Sequence, residues 1–220
     1  ELRAVDLMTN ASKLLLVGAV LCLSACAHVT GGRAAKACPP GTREQLEPSD
    51  EGTRHSCLDE AGLGQGPQWV VSKAGTMLFE GNQLDGKPDG RTRAWDEEGL
   101  VAELHFNQGT PVLMKRWHAN GELAEQWEYD GADRAHVRKW HENGAKADEL
   151  DWTAGGAEGH WLKWWPNGNP RQDAEWRGGV LQGAFRAWYE NGSPRSEGEY
   201  VGNRKRGPWR FWNEAGELER

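Results

Sequence analysis

Four histidines, His105, His118, His141 and His160, and a row of carboxylates, Glu128, Asp151, Glu175 and Glu199, are the side chains of this 220-residue chain best suited to chemistry. Imidazoles and carboxylates hold zinc when several converge about 2 Å from one ion. Two carboxylates with well-separated pKa values can serve as general acid and base. The spacing argues against both. His118 and His141 each follow a recurring tryptophan, and Asp96, Trp165, Tyr189 and Asn213 hold the equivalent place elsewhere, which reads as a variable, exposed position. In a sheet of hairpins such positions stand two strands apart, about 9 to 10 Å, too far to share an ion. The carboxylates run with Phe106 as one series and face a second, Arg93, Lys115, Arg138, Leu162, Arg186 and Arg210. A ladder places every carboxylate in much the same environment, which suits cross-strand ion pairs on a solvated face and not one catalytic pair. There is no Gly-x-Ser-x-Gly elbow and no phosphate-binding Gly-x-x-x-x-Gly-Lys-[Ser/Thr] loop. No enzyme, metal or cofactor is expected.

The elements that carry these residues are repeats. Thirteen Trp and 29 Gly, with no Ile, leave too few aliphatic residues for an ordinary core, so burial must come largely from tryptophan. Register on one glycine makes the period explicit: Gly75, Gly99, Gly121, Gly144, Gly168, Gly192 and Gly216, 22 to 24 residues apart. Four residues before it stand Val71, Trp95, Trp117, Trp140, Trp164, Trp188 and Trp212, and nine before it Gly66, Gly90, Val112, Ala135, Gly159, Gly183 and Gly207. Asn-Gly at 120–121, 143–144, 167–168 and 191–192 reads as a type I′ hairpin turn, with another turn type at Glu98-Gly99 and Ala215-Gly216. An aromatic follows eight residues later (Tyr129, Trp152, Trp176, Tyr200), and Gly131, Gly155-Gly156, Gly178-Gly179 and Gly202-Asn203 turn the chain into the next repeat. The fold class is therefore all-β: about seven tandem hairpins over residues 62–220, some fourteen strands, in an elongated, twisted antiparallel sheet. The tryptophan four before the turn is expected to cover glycines of adjacent strands. Val112 and Ala135 replace the small glycine in the third and fourth repeats, where the backbone should differ.

Only the N-terminal quarter does not repeat. Lys13 and the apolar run Leu14–Leu23 form a targeting segment too short to span a bilayer. It ends in Leu23-Ser24-Ala25-Cys26, which resembles the bacterial lipobox, so residues 1–26 read as a lipoprotein signal, with 1–7 upstream of a start at Met8. The resemblance implies diacylglycerol on the Cys26 thiol and acylation of its freed amine. More than one acyl chain gives stable anchoring. By similarity to enterobacterial sorting, Ala27 in place of Asp favours the outer membrane of a Gram-negative bacterium. Cys22 leaves with the signal, so Cys38 and Cys57 remain for one disulfide in an oxidising compartment, worth about 3 kcal/mol in the chain-entropy model. Residues 27–37 read as a flexible tether and 38–61 as a disulfide-stapled cap on the array.

Gly159-His-Trp161-Leu-Lys-Trp164-Trp-Pro-Asn-Gly168 and Gly207-Pro-Trp209-Arg-Phe-Trp212-Asn-Glu-Ala-Gly216 resemble the MORN-repeat variant of the YwqK-type antitoxin family. The resemblance spans about residues 62 to 220 and implies an open hairpin sheet with a scaffold or protein-binding role. The Cys38–Cys57 head is similar to that of lipoprotein members in myxobacteria. The expected activity is that of an envelope lipoprotein with a protein partner. Two alternatives are a carbohydrate or peptidoglycan binder that stacks exposed aromatics on sugars, and an immunity protein acting in the envelope. A net charge of −7 opposes nucleic-acid binding by phosphate neutralisation. If Cys26 carries the anchor, Cys26→Ala should move the protein from the membrane to the soluble fraction and abolish the acylated N-terminal peptide in mass spectra.

Overall fold

The structure, a computed structural model, describes residues 36–219. Cys26, the signal segment and most of the tether lie outside the described residues. The described chain is all-β, with sixteen strands, antiparallel to the strands they pair with, and no helix. It divides at residues 110/111 into two compact halves.

In the N-terminal half, β1 (Arg43–Pro48) and β2 (Gly52–Leu58) form a hairpin from the segment expected to be a cap. It continues directly into the first repeat, β3 (Gly64–Ser72) and β4 (Met77–Leu84), because β2 pairs with β3. A two-residue strand, β5 (Lys87–Pro88), lies on the end of β4, and β6 (Gly90–Trp95) with β7 (Leu100–Asn107) forms the second repeat. Residues 36–39 run across this sheet as a strap. Cys38 is disulfide-bonded to Cys57 on β2, Pro39 packs over Gly66 on β3 and Lys36 Nζ lies 2.5 Å from Glu80 Oε2 on β4. The expected disulfide is thus present, and Lys36, assigned above to the tether, is docked. Burial pushes the Glu80 carboxyl up, but Lys36 and Arg93 more than offset it and hold the carboxyl below its ordinary value of 4.5.

The C-terminal half contains four complete hairpins: β8 (Thr110–Trp117) with β9 (Leu123–Asp130), β10 (Arg134–Trp140) with β11 (Lys146–Thr153), β12 (Gly156–Trp164) with β13 (Pro170–Arg177), and β14 (Val180–Trp188) with β15 (Pro194–Val201). The seventh repeat supplies one strand, β16 (Arg204–Phe211), and a single bridge, Trp212 to Leu218. Within each half strand order follows chain order, so each sheet is open.

The Asn-Gly turns are not the type I′ turns expected. At each Asn-Gly only the glycine has positive φ, from 78° to 88°, and no asparagine of these pairs does. His118 N donates to Glu122 O and Gly121 N to His118 O, which makes a three-residue loop: a type I turn, then a left-handed glycine. The register shift that this loop imposes falls at the recurring tryptophan, as between Lys139 and Trp140. Type I′ geometry occurs instead between repeats, where both central residues have positive φ: Asp85-Gly86, Gln108-Gly109, Gly178-Gly179 and Gly202-Asn203. Of the two departures from Asn-Gly, Glu98-Gly99 does form a shorter loop, closed by Asp96 N donating to Gly99 O. Ala215-Gly216 keeps the common geometry, with Asn213 N donating to Glu217 O.

The glycine nine residues before the turn makes a bulge. Gly159 has φ 71°, and the pairing jumps so that Gly159, His160 and Trp161 together oppose Leu150. Where Ala135 replaces it, β10 pairs with β9 over six residues without a shift. An alanine in the left-handed region is costly, so a repeat lacking the glycine keeps a straight ladder.

Burial differs from the expectation as well. Only Trp69 and Trp127 are buried among the tryptophans, whereas Ala102, Ala135, Ala147, Ala157, Ala174 and Ala187 are, beside Cys57, Met114, Val137 and Leu150. Small residues fill the sheet surface and aromatic rings lie across them. Ala174 faces Trp161 across the ladder, with Trp176 two residues along, and is 0% exposed. Among the described residues the one glycine covered by an indole is Gly198, where an added Cβ would meet Trp209 ring atoms at 2.4 Å. Trp209 stands seven residues before its turn glycine, so the covering tryptophan is not the one four before.

Gly198→Ala should lower stability by about 1 to 3 kcal/mol through this overlap. Gly159→Ala, with nothing within 4 Å of its added Cβ, should cost about 1 to 2 kcal/mol from backbone strain alone; urea midpoints compare the two. Because the folded Glu80 carboxyl titrates below its unfolded value, its contribution is full at neutral pH and is lost as pH falls through the folded value. Stability of Glu80→Gln should therefore fall less on acidification below 4.5 than that of the parent chain.

Candidate interaction surface

In the C-terminal half each turn is tied to the turn of the next repeat by side-chain donors. The asparagine of each Asn-Gly uses both ends of its amide. Oδ1 accepts from the backbone two residues on, as Glu122 N to Asn120 Oδ1 at 3.0 Å. Nδ2 donates to a carbonyl of the following repeat: Asn120 to Glu142 O, Asn143 to Pro166 O and Asn167 to Glu190 O, all 2.7 Å, and Asn191 to Glu214 O, 2.8 Å. The position two residues earlier adds a second row. His118 Nε2 reaches Trp140 O (2.9 Å), His141 Nε2 reaches Trp164 O (3.0 Å), Trp165 Nε1 reaches Trp188 O (3.2 Å) and Tyr189 Oη reaches Trp212 O (2.8 Å).

This overturns the reading of that position as variable and exposed. His118, His141, Trp165 and Tyr189 are half-buried, and what they share is a ring N–H or O–H at similar reach. A carbonyl acceptor requires the histidines to carry a proton on Nε2. The rows also explain why asparagine is there. Ala74-Gly75 and Ala215-Gly216 make the same backbone turn without it, so the turn does not need the amide; the next repeat does. In the seventh repeat Ala215 has no amide, and Asn213 bonds back to Glu217 Oε2 at 2.8 Å, which ends both rows.

One face of this half carries the aromatics. Residues opposite in a ladder share a face, and the register therefore puts Trp127, Tyr129, Trp152, Trp161, Trp176, Phe185, Tyr200, Trp209 and Phe211 together. Ring centroids lie 5.1 Å apart at Tyr200–Trp209, 5.5 Å at Trp161–Trp176 and 6.4 Å at Trp127–Trp152. Lys163 and Lys205 sit over Trp161 and Trp209, each 4.3 Å from the ring centre. Apart from Trp127 these rings are half-buried, with no second layer of described residues above them. Burial, with the nearby Glu125 carboxylate, pushes the Tyr129 phenol up to about 12, so it stays protonated.

The opposite face carries charge. Arg138 Nη2 bonds Glu128 at 3.0 and 3.1 Å, as the two series predict, but Arg93 and Arg210 pair with Glu80 and Glu197, two residues nearer the turn. His160 Nδ1 lies 2.7 Å from Asp173, a hydrogen bond that raises the imidazole pKa. His105 pairs with Glu103 at 2.9 Å and His136 bridges Glu149 and Asp151. His105, His118, His141 and His160 are thus not brought together, and among the described residues no group of three His, Cys, Asp or Glu side chains could hold a metal ion.

Two segments, residues 112–130 and 181–201, match the MORN repeat variant. Each spans one hairpin, β8–β9 and β14–β15, and the first match includes Val112, so loss of the bulge glycine does not remove the third repeat from the pattern. A repeat of this type is consistent with a protein-binding module. No curated protein matches the chain. Among solved structures, the crystal structure of TarM is similar over 53% of this chain and 22% of its own, at 13% identity and a TM-score of 0.28. The chain thus spans less than a quarter of that protein.

Asn143→Ala should keep its turn yet lose about 0.5 to 1.5 kcal/mol, the net value of an ordinary hydrogen bond, read as a lower urea midpoint.

Proposed function

We propose that this chain is a non-catalytic envelope lipoprotein, anchored through acylated Cys26, whose repeat sheet binds a protein partner along its aromatic face. The observation that carries the reading is the run of half-buried rings from Tyr129 to Phe211 on one face, with no second layer of described residues above it. Aromatic residues supply large contact area at little entropic cost and dominate binding hot spots. An apolar face of this extent left to solvent is the usual mark of an interaction site. The MORN-type match supports a binding module, and the lipobox-like segment supports an anchored, extracytoplasmic location. A toxin held in the envelope would be one kind of partner, which is what the antitoxin resemblance implies.

Crosslinking of the anchored protein in its native envelope should recover one stoichiometric protein. Trp176→Ala should weaken that recovery by on the order of tenfold or more, while Arg186→Ala on the charged face leaves it unchanged. Equal effects of both substitutions would exclude the aromatic face. Retention on purified peptidoglycan, with no protein recovered, would favour the glycan reading instead. Trp165 and Tyr189 are unsuited to that test, since each holds a neighbouring repeat.

A further inference from the structure

On the Asn-Gly turn side, the aromatic face of the C-terminal half is bordered by a row of charged side chains. Register places Arg116 on β8, Glu125 on β9, Lys139 on β10, Asp148 on β11 and Lys163 on β12 side by side at one level, with Gln172 next on β13. The sign alternates at every charged strand. Within the chain Arg116 Nη1 lies 3.8 Å and Lys139 Nζ 2.9 Å from Glu125, and Lys163 Nζ lies 3.3 Å from Asp148. Arg116 and Lys139 share one carboxylate and keep 56% and 42% of their side chains exposed, which leaves both able to meet charge from above.

The row constrains what covers the face. Two sheets packed face to face stand about 10 Å apart, and a second copy is set over the first by a two-fold axis. An axis parallel to the strands keeps turn side over turn side. Placed over a strand, it sets like against like: over β10, Lys139 meets its own copy and Glu125 meets Asp148. Placed between two strands, it sets every charge against its opposite. Between β10 and β11 it engages most of the row, since Lys139 faces Asp148 and Glu125 faces Lys163, each twice by symmetry.

The same axis fits the apolar residues further from the turns. It lays β8 over β13, β9 over β12 and β10 over β11. Met114 then faces Ala174, Ala135 faces Trp152, and Tyr129 faces the bulge at Gly159, so that large residues meet small ones as a packed core requires. Val112, two residues before Met114 on the same face and 42% exposed, comes under Trp176.

We propose that the partner of the aromatic face is a second copy of this chain, packed face to face about a two-fold axis between β10 and β11. The proposal rests on the reading of that face as a binding surface and names its occupant.

Sedimentation equilibrium of the Cys26→Ala chain should give twice the chain mass. Val112→Asp should weaken the association about tenfold or more, because it buries a carboxylate without a partner. Val180→Asp, equally a change at an exposed valine but on the charged face, should leave it unchanged. Both are compared at parental circular dichroism. A geometric test needs neither aspartate. Chains with Arg116→Cys mixed with chains with Gln172→Cys should be joined by a bismaleimide spanning about 10 Å. Arg116→Cys chains alone should not, since the axis holds the two β8 strands five strand spacings, about 24 Å, apart. A monomeric chain, equal effects of the two aspartates, or joining of Arg116→Cys chains to one another would overturn the proposal. Recovery of a different protein in the envelope crosslinking, weakened by Trp176→Ala, would overturn it as well and leave the aromatic-face reading standing.

Discussion

An open, single-layer sheet has no second layer to hold one hairpin against the next, so cohesion between repeats must come from the ladder itself and from side chains that bridge it. In the C-terminal half that bridging falls to two donors per turn, an asparagine amide and a ring N–H or O–H, each reaching a backbone carbonyl of the following repeat. Carbonyls exposed at a turn would otherwise face water, and each such bond adds a modest net stabilisation. Its value here is directional: the donors of one repeat specify the distance to the next. The rows begin at the third repeat, since Asp96 and Glu98 offer only carboxylate acceptors at the equivalent places in the second, and stop at Ala215.

The same absence of a second layer explains the composition. A single-layer sheet cannot bury large aliphatic side chains between layers, but it can lay flat rings over alanine and glycine on its own surface. That is why Ala174 and Ala187 are more buried than most tryptophans, and why Gly198 lies under Trp209. Rings used in this way keep one surface toward solvent. The rings that cover the sheet are therefore the same atoms as the proposed binding face, and a partner would need no rearrangement of the sheet to reach them.

Much of this was legible in the sequence. The period, the hairpin as its unit and the all-β class follow from residues at fixed spacing, because local turn chemistry and strand alternation operate over few residues, and the Cys38–Cys57 bridge follows from the two cysteines expected to remain beyond the signal segment. The charge series was legible in kind but displaced by two residues at Arg93 and Arg210, because the ladder sets each directly opposite a glutamate, Glu80 and Glu197, whereas Arg138 stands opposite Gln126 and reaches Glu128 on the diagonal. The turns were misread for a related reason: Asn-Gly satisfies a type I′ turn, but it equally satisfies a type I turn closed by a left-handed glycine, and the difference is one residue of loop length.

What the sequence determined by itself was thus everything that depends on neighbours along the chain: repeat length, hairpin positions and the places where glycine is required. Only the tertiary structure decided what depends on neighbours across repeats. His118, His141, Trp165 and Tyr189 share no class in a sequence, being basic, aromatic and phenolic. They form one row only because each carries a hydrogen at similar reach from a carbonyl 22 or 23 residues away. A donor's reach is a property of space, not of residue type, and no periodicity in the letters could display it.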